Sequence, residues 1–358
     1  MRRFLICCCV LGAVACASSS ATTPSPEHPE AANAPPAPPP PPIPQDPLEL
    51  VSADIALLVN ARVEVMKDKD AFQTLRRTVL RYGCVSEADF DWLAGQTQRA
   101  LFVNRGDAER PELVVILAGQ FGDADAARAL EALSRGAHAG DATASRTQGR
   151  FAIAQKGPWS AIVLENRLLI AGHDGFVGST LDLIEHPEAP RFAQTPQFAE
   201  LGGKIDCMDR SVCGLVTPNG GVAKRMKGEL SGVGMKKVGR ELAGSQSGFT
   251  IAVGEGLVLR VTAHLQSDAD ADGLAKDTKD WLWQAGLVAR LAGFPDVLGD
   301  ADVKTEGSFT ELKIQVGEGD LAKLEKRFEQ MLGDEAAARC RDGLAFRSSG
   351  TSTLAMVP

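Results

Sequence analysis

The stretch Ser267 to Gly273, "SDADADG", sets three aspartates at alternate positions before a glycine. Carboxylates spaced that way begin a calcium loop, which needs a bidentate glutamate at its twelfth position and a ligand at its ninth. Counted from Asp268 those positions hold Lys279 and Lys276, so two cations stand where ligands belong. The run therefore reads as the start of a helix, whose positive N-terminal end favours acidic residues and a capping side chain. "GDADAAR", with Asp123 and Asp125, repeats the pattern earlier in the chain. A second stretch, "GHDGFVGST" from Gly172 to Thr180, puts glycines ahead of a helix, a geometry that can hold an anion. It lacks the spacing and the lysine of a phosphate loop. It also supplies the one hydrolase-like trio, His173, Asp174 and Ser179. His173 and Asp174 are neighbours whose side chains diverge along a strand, and no G-x-S-x-G elbow occurs. The sequence assigns no catalytic residue, no metal ligand set and no cofactor.

Three further features bear on binding. Of the eight cysteines, four lie beyond residue 16: Cys84, Cys207, Cys213 and Cys340. An even number in an exported chain suggests disulfides, and four allow three connectivities. "CMDRSVC" closes a short loop, so Cys207–Cys213 with Cys84–Cys340 is the preferred pairing. No C-x-x-C follows residue 16, and the five histidines are scattered, against zinc. The basic segment from Lys224 to Arg240 stands out in a chain of net charge −8. It reads as the solvated face of a helix with Met226, Leu230, Val233 and Val238 inward, or as a contact for anionic headgroups. In "DWLWQAGLV", Trp281 and Trp283 cannot share a helix face, so one packs inward and the other is exposed. The acidic balance, a pI near 5.3 and a single tyrosine oppose nucleic-acid binding.

The N-terminus is an address. "MRRFLICCCVLGAVAC" has a basic start, an apolar run from Phe4 to Val14 and small residues, the layout of a secretory signal peptide. Its last four residues, Ala13-Val14-Ala15-Cys16, resemble a bacterial lipobox, with Ala13 where leucine is commonest. The resemblance implies lipidation of Cys16 as the mature N-terminus, with palmitate among the acyl chains. Ala13 and Ala15 also fit an ordinary signal-peptidase site cutting the same bond. Ala17, in place of aspartate, points by the same resemblance to the outer membrane. A multiply acylated cysteine anchors stably, at roughly 0.8 kcal/mol per buried CH₂. From Ala17 to Pro47 the chain holds twelve of its twenty prolines and almost no apolar side chains. Such a segment stays open as a tether, on the order of 90 Å when extended at about 3.1 Å per residue.

The elements beyond the tether follow a rhythm. "ADIALLVNAR" reads as a strand and "AFQTLRRTVLRYG" as a helix. "RALFVNR" and "ELVVILAGQ" read as two strands, "DADAARALEALSRG" as a helix, "SRTQGRFAIAQ" and "SAIVLENRLLIAG" as two more strands, and "FVGSTLDLIEH" as a helix. The order returns: "VCGLVTP", a helix from Gly220, the hairpin "SGFTIAVGEGLVLRVTAHL" with "GEG" supplying positive φ, and a long helix stopped by Gly293 and Pro295. Then come the hairpin "ADVKTEGSFTELKIQV" and a helix with Leu321, Leu324, Phe328 and Leu332 on one face. The implied class is α+β, mostly antiparallel sheets with helices on one face, built from a duplicated ββαββα unit. The divisions are 1–15 signal, 16–47 lipidated cysteine and tether, 48–190 first half, and 191–358 second half.

Anchor, proline tether and doubled ectodomain are together similar to the layout of many bacterial envelope lipoproteins. The expectation is a non-enzymatic binding or scaffolding protein held at the outer membrane by its lipid, with another envelope protein as a possible partner. A carrier of an apolar molecule or lipid is the alternative, and an envelope hydrolase the third.

Overall fold

The computed structural model describes residues 39–82, 86–106, 112–134, 141–218, 220–232, 235–327 and 330. Twelve strands form one antiparallel sheet: β1 (Leu57–Arg62), β2 (Thr97–Arg105), β3 (Glu112–Gly119), β4 (Ala144–Gln148), β5 (Phe151–Lys156), β6 (Trp159–Leu164), β7 (Leu168–His173), β8 (Val212–Val216), β9 (Gln246–Val253), β10 (Leu257–His264), β11 (Asp302–Glu306) and β12 (Phe309–Val316). Their order across the sheet is β11-β12-β10-β9-β8-β1-β2-β3-β7-β6-β5-β4. The strands of residues 57–173 and those of residues 212–316 adjoin at one seam, where β1 pairs β8, with Val59 opposite Gly214 and Asn60 opposite Cys213. The seam lacks a bulky side chain at Gly214 for a steric reason: a Cβ there would sit 2.2 Å from the Phe249 ring.

The helices are α1 (Val63–Met66), α2 (Asp70–Tyr82), α3 (Glu87–Gln96), α4 (Asp123–Leu133), α5 (Asp174–Glu185), α6 (Gly221–Gly232), α7 (Lys236–Gly244) and α8 (Asp268–Leu291), with a further helical stretch at 318–327. They do not share one face, which corrects the one-sided expectation. Under α5 lie Leu58, Leu101, Val103, Ile116, Ile170 and Leu215, joined by Phe176 and Leu181 of the helix. Under α4 lie the alternate residues Ala100, Leu117, Trp159, Ala161 and Leu169. The physical cause is in the strands themselves. β3 and β7 carry apolar side chains at successive positions, as strands buried on both faces do.

Across β10, β12 and β11 the apolar burial is one-sided. α8 packs over Val303 and Leu312, and α6 and α7 close on Ala263 and Leu265, all on the α4 side. The opposite side of β10, β12 and β11 is a lattice of charge, with Arg260–Glu311 at 3.3 Å, Lys204–Glu306 at 2.6 Å and His264 stacked on Phe309 at 4.3 Å. Phe192, Leu201 and Ile205, placed after the boundary at residue 190, belong to the core under α5.

Several turns differ from expectation. "SRTQGRFAIAQ" and "SAIVLENRLLIAG" are each a hairpin, so four strands follow α4 where two are expected. Gly149 turns the first at φ +55°, and Glu165 and Asn166 turn the second at φ 49° and 53°, the double positive φ of a tight hairpin. The "GEG" turn works another way. Neither of its glycines has positive φ; a Cβ on Gly256 would meet the Val316 carbonyl oxygen at 2.3 Å, so close approach of two backbones is what excludes a side chain.

The end of the tether is held. Arg167 donates to the carbonyls of Ile43 and Pro44 at 2.9 Å each, Arg150 donates to Pro41, and Arg99 pairs with Asp46 at 2.9 Å. Residues 39–47 are thus held against the fold instead of being open to residue 47: the carbonyls of Pro41, Ile43 and Pro44, unpaired in an extended proline-rich chain, meet Arg150 and Arg167, and the Asp46 carboxylate meets Arg99 of β2.

Candidate functional site

The sequence-derived trio does not converge. His173, at the end of β7, accepts a hydrogen bond on Nδ1 from the Leu113 amide at 3.0 Å and packs at a 45° tilt against the Trp159 ring, centroids 4.4 Å apart. Burial holds its pKa below the ordinary 6.5, against smaller opposing effects of Leu113 and Glu112. Asp174 is taken by Arg146 at 2.9 Å and by the Ser160 hydroxyl. Ser179 accepts from Arg105 at 2.9 Å and donates to the Gly175 carbonyl at 2.7 Å. Each side chain is engaged with a different partner, and no nucleophile–base contact links them. The glycine turn before α5 is likewise filled from within: Asp174 puts its own carboxylate in the first turn of the helix.

The aspartate runs do what capping requires. Ser267 accepts from the Asp270 amide at 3.2 Å, and α8 begins at Asp268 with no intervening loop. At α4 the Asp125 carboxylate accepts from the Gly122 amide at 2.8 Å. Among the described residues no cluster of His, Cys, Asp and Glu could hold a metal ion.

Cys207 and Cys213 are joined, and both are buried at the root of β8. The loop they close is tied to the seam. Asn60, 1% exposed, donates to the Cys207 carbonyl at 3.3 Å and accepts from Arg99 at 2.7 Å. Cys84 and Cys340 lie outside the described residues, as do Cys16 and everything before residue 39. No helix among the described residues is long and apolar enough to cross a membrane.

The basic segment is two helices, α6 and α7, with Leu230 and Val238 buried and Met226 partly so, while Val233 falls outside the described residues. Its cations lie outward, one of them, Lys237, on Asp277 at 2.7 Å.

What remains unabsorbed is on α8. Trp281 packs into the core, whereas Trp283 is 70% exposed. Leu287 and Leu291 are 43% and 81% exposed, and Val288 lies beside them. Residues four apart share a helix face, so Trp283, Leu287 and Leu291 form a ridge, rising about 12 Å along the helix axis. The inner face of the same helix, Ala271, Leu274, Ala275, Thr278 and Leu282, is buried, so the ridge is the side the fold leaves out. At its C-terminal end Leu291 to Pro295 line a shallow basin with Lys323, Lys326 and Arg327. Of the ridge the sequence marks only Trp283, and that only as one of two tryptophans, with Trp281, of which one is exposed. Leu287 and Leu291 are missed because an apolar residue on a helix reads as core; the available signal was that both share the face of Trp283 and not of Leu274 and Leu282.

No protein-family model matches the chain, and no curated protein does. It is similar to solved structures of a protein designated TP0453. Crystal form III has TM-score 0.46 and 11% identity over 78% of this chain and 98% of that one. Crystal form I has 0.45 and 10% over 79% and 97%. A likeness this distant carries no functional argument.

Proposed function

We propose that this protein is a lipid-anchored component of the bacterial outer membrane whose ectodomain serves as a non-enzymatic binding surface. The observation that carries the binding part is the ridge of Trp283, Leu287 and Leu291, since large side chains grouped outside a filled core mark an interaction site. The dispersal of His173, Asp174 and Ser179 onto separate partners supports a non-catalytic reading. The anchor rests on Cys16 and the residues before it. The doubled-unit reading is supported by strand order: outward from the seam, β8-β9-β10-β12-β11 follows the same course as β1-β2-β3-β7-β6, with β4 and β5 added to one side.

Growth on labelled palmitate tests the anchor. Label is expected in the wild type, in the outer-membrane fraction, and absent in Cys16→Ala; an unlabelled wild type refutes lipidation. Esterase or amidase turnover by the purified chain, lost on His173→Ala or Ser179→Ala, would overturn the non-enzymatic reading.

A further inference from the structure

We propose that the ridge on α8 and its basic rim dock on the surface of an anionic bilayer, giving the protein a second membrane contact besides its lipid. The proposal deepens the binding reading above and rests on it, naming the surface that is bound.

The shape argues for a fluid partner. Trp283, Leu287 and Leu291 project from a convex helix, and a helix-binding protein would need a groove to receive them, not a reciprocal ridge on this chain. Their exposed area is on the order of a few hundred Å², short of the roughly 800 Å² per partner of a stable dimer. A bilayer interface needs no such complementary area, and tryptophan is enriched at that depth.

Charge supplies the second observation. Arg290 is paired with Asp296 at 3.1 Å, and Lys323 with Asp320 at 2.9 Å. The net positive charge of the rim then comes from Lys326 and from Arg327, which donates to the Ala292 carbonyl and to Gln330. In a chain of net charge −8, this places positive charge beside exposed apolar side chains. That is the combination by which peripheral helices hold anionic headgroups.

Reach is no obstacle. The tether's docked end lies at β5–β7 and the ridge on the β11–β12 side, and a sheet of twelve strands spans roughly 50 Å at about 4.8 Å per strand. A chain of 22 residues, the length of 17–38, reaches at most about 68 Å at 3.1 Å per residue. An anchored molecule therefore carries the ridge to its own leaflet, at high effective concentration.

The test uses the chain from residue 17 onward, which lacks the anchor cysteine and keeps every described residue, so the fate of Cys16 cannot affect it. Sedimentation with vesicles of phosphatidylethanolamine and phosphatidylglycerol (3:1) is expected to carry the protein down, with a blue shift of tryptophan emission. Phosphatidylcholine vesicles are expected to bind at least fivefold more weakly. Trp283→Ser/Leu287→Ser/Leu291→Ser should lower binding tenfold or more with unchanged melting temperature, and Lys323→Gln/Lys326→Gln should lower it threefold or more on the anionic vesicles alone. No wild-type binding, or equal binding by the triple variant, overturns the proposal. So does binding that appears only after removal of 331–358, which would assign the ridge to this chain's own C-terminal segment. A dimer that the triple variant abolishes would assign it to a second copy.

Discussion

Opening the Cys207–Cys213 link should weaken the sheet at its seam. The two cysteines are six positions apart, so the bond closes a loop of seven residues that ends on the second residue of β8. The chain-entropy relation gives about 2.3 kcal/mol for a loop of that size at 25 °C. The clean measurement starts from Cys84→Ser/Cys340→Ser, so that this pair alone answers to reductant. Urea unfolding of that protein with and without dithiothreitol should then differ by about 2.3 kcal/mol, or a midpoint shift of roughly 0.8 M for a slope near 3 kcal/mol/M. Cys207→Ala/Cys213→Ala should lose more, since each buried sulfur removed leaves a methyl-sized gap of about 1 kcal/mol. A midpoint that moves by less than about 0.2 M on reduction would refute the reasoning. The loop would then be held by Asn60 of β1, which donates to the Cys207 carbonyl, and by Arg99 of β2, which donates to Asn60 and to the Met208 sulfur, and not by the covalent bond.

Other outcomes follow from the same geometry. Gly172→Ala should destabilise by about 2 kcal/mol or more in chemical denaturation, because its Cβ would lie 2.3 Å from the Leu113 carbonyl oxygen and 2.7 Å from the Val114 Cα, backbone that cannot turn aside. His173 has a folded pKa below its unfolded one, so its contribution is fully present above about 6.5 and is lost as pH falls toward the folded value. His173→Gln should accordingly flatten the dependence of melting temperature on pH below about 6.5. Trp283→Ser, at a position open to solvent, should leave unfolding free energy within about 0.5 kcal/mol of wild type.

Much of this fold can be read in the sequence where a local cause dominates. The two aspartate-rich starts at Asp123 and Asp268 begin helices, because capping is settled within one turn of chain. The hairpins of β9–β10 and β11–β12 lie where alternating residues and glycine turns put them. The hairpin of β6–β7 is hidden because its two-residue turn interrupts an apolar run too briefly to break the pattern, and that of β4–β5 because β4, Ala144–Gln148, is a polar and largely exposed strand. The helix α3 carries Phe90, Trp92 and Leu93 without a clean apolar stripe, so no period marks it. Which face each helix takes is a tertiary outcome. An amphipathic helix such as α5 states only that it has an inner side. The ridge was half legible for the same reason: Trp283 and Trp281 cannot both be inside, but only the packing of Trp281 against α7 and β12 decides which is out.

The docked tether has a mechanical meaning. A chain pulled from residue 39 does not load β1 first, for that strand lies at the middle of the sheet. Tension reaches Arg150, then Arg167, then Arg99, each holding one or two oxygens of the segment. Contacts loaded in series yield one at a time, whereas the paired strands behind them would have to shear together. Releasing residues 39–47 adds about 28 Å of leash at 3.1 Å per residue. The clip is thus a shock absorber, paying out slack before force reaches the fold.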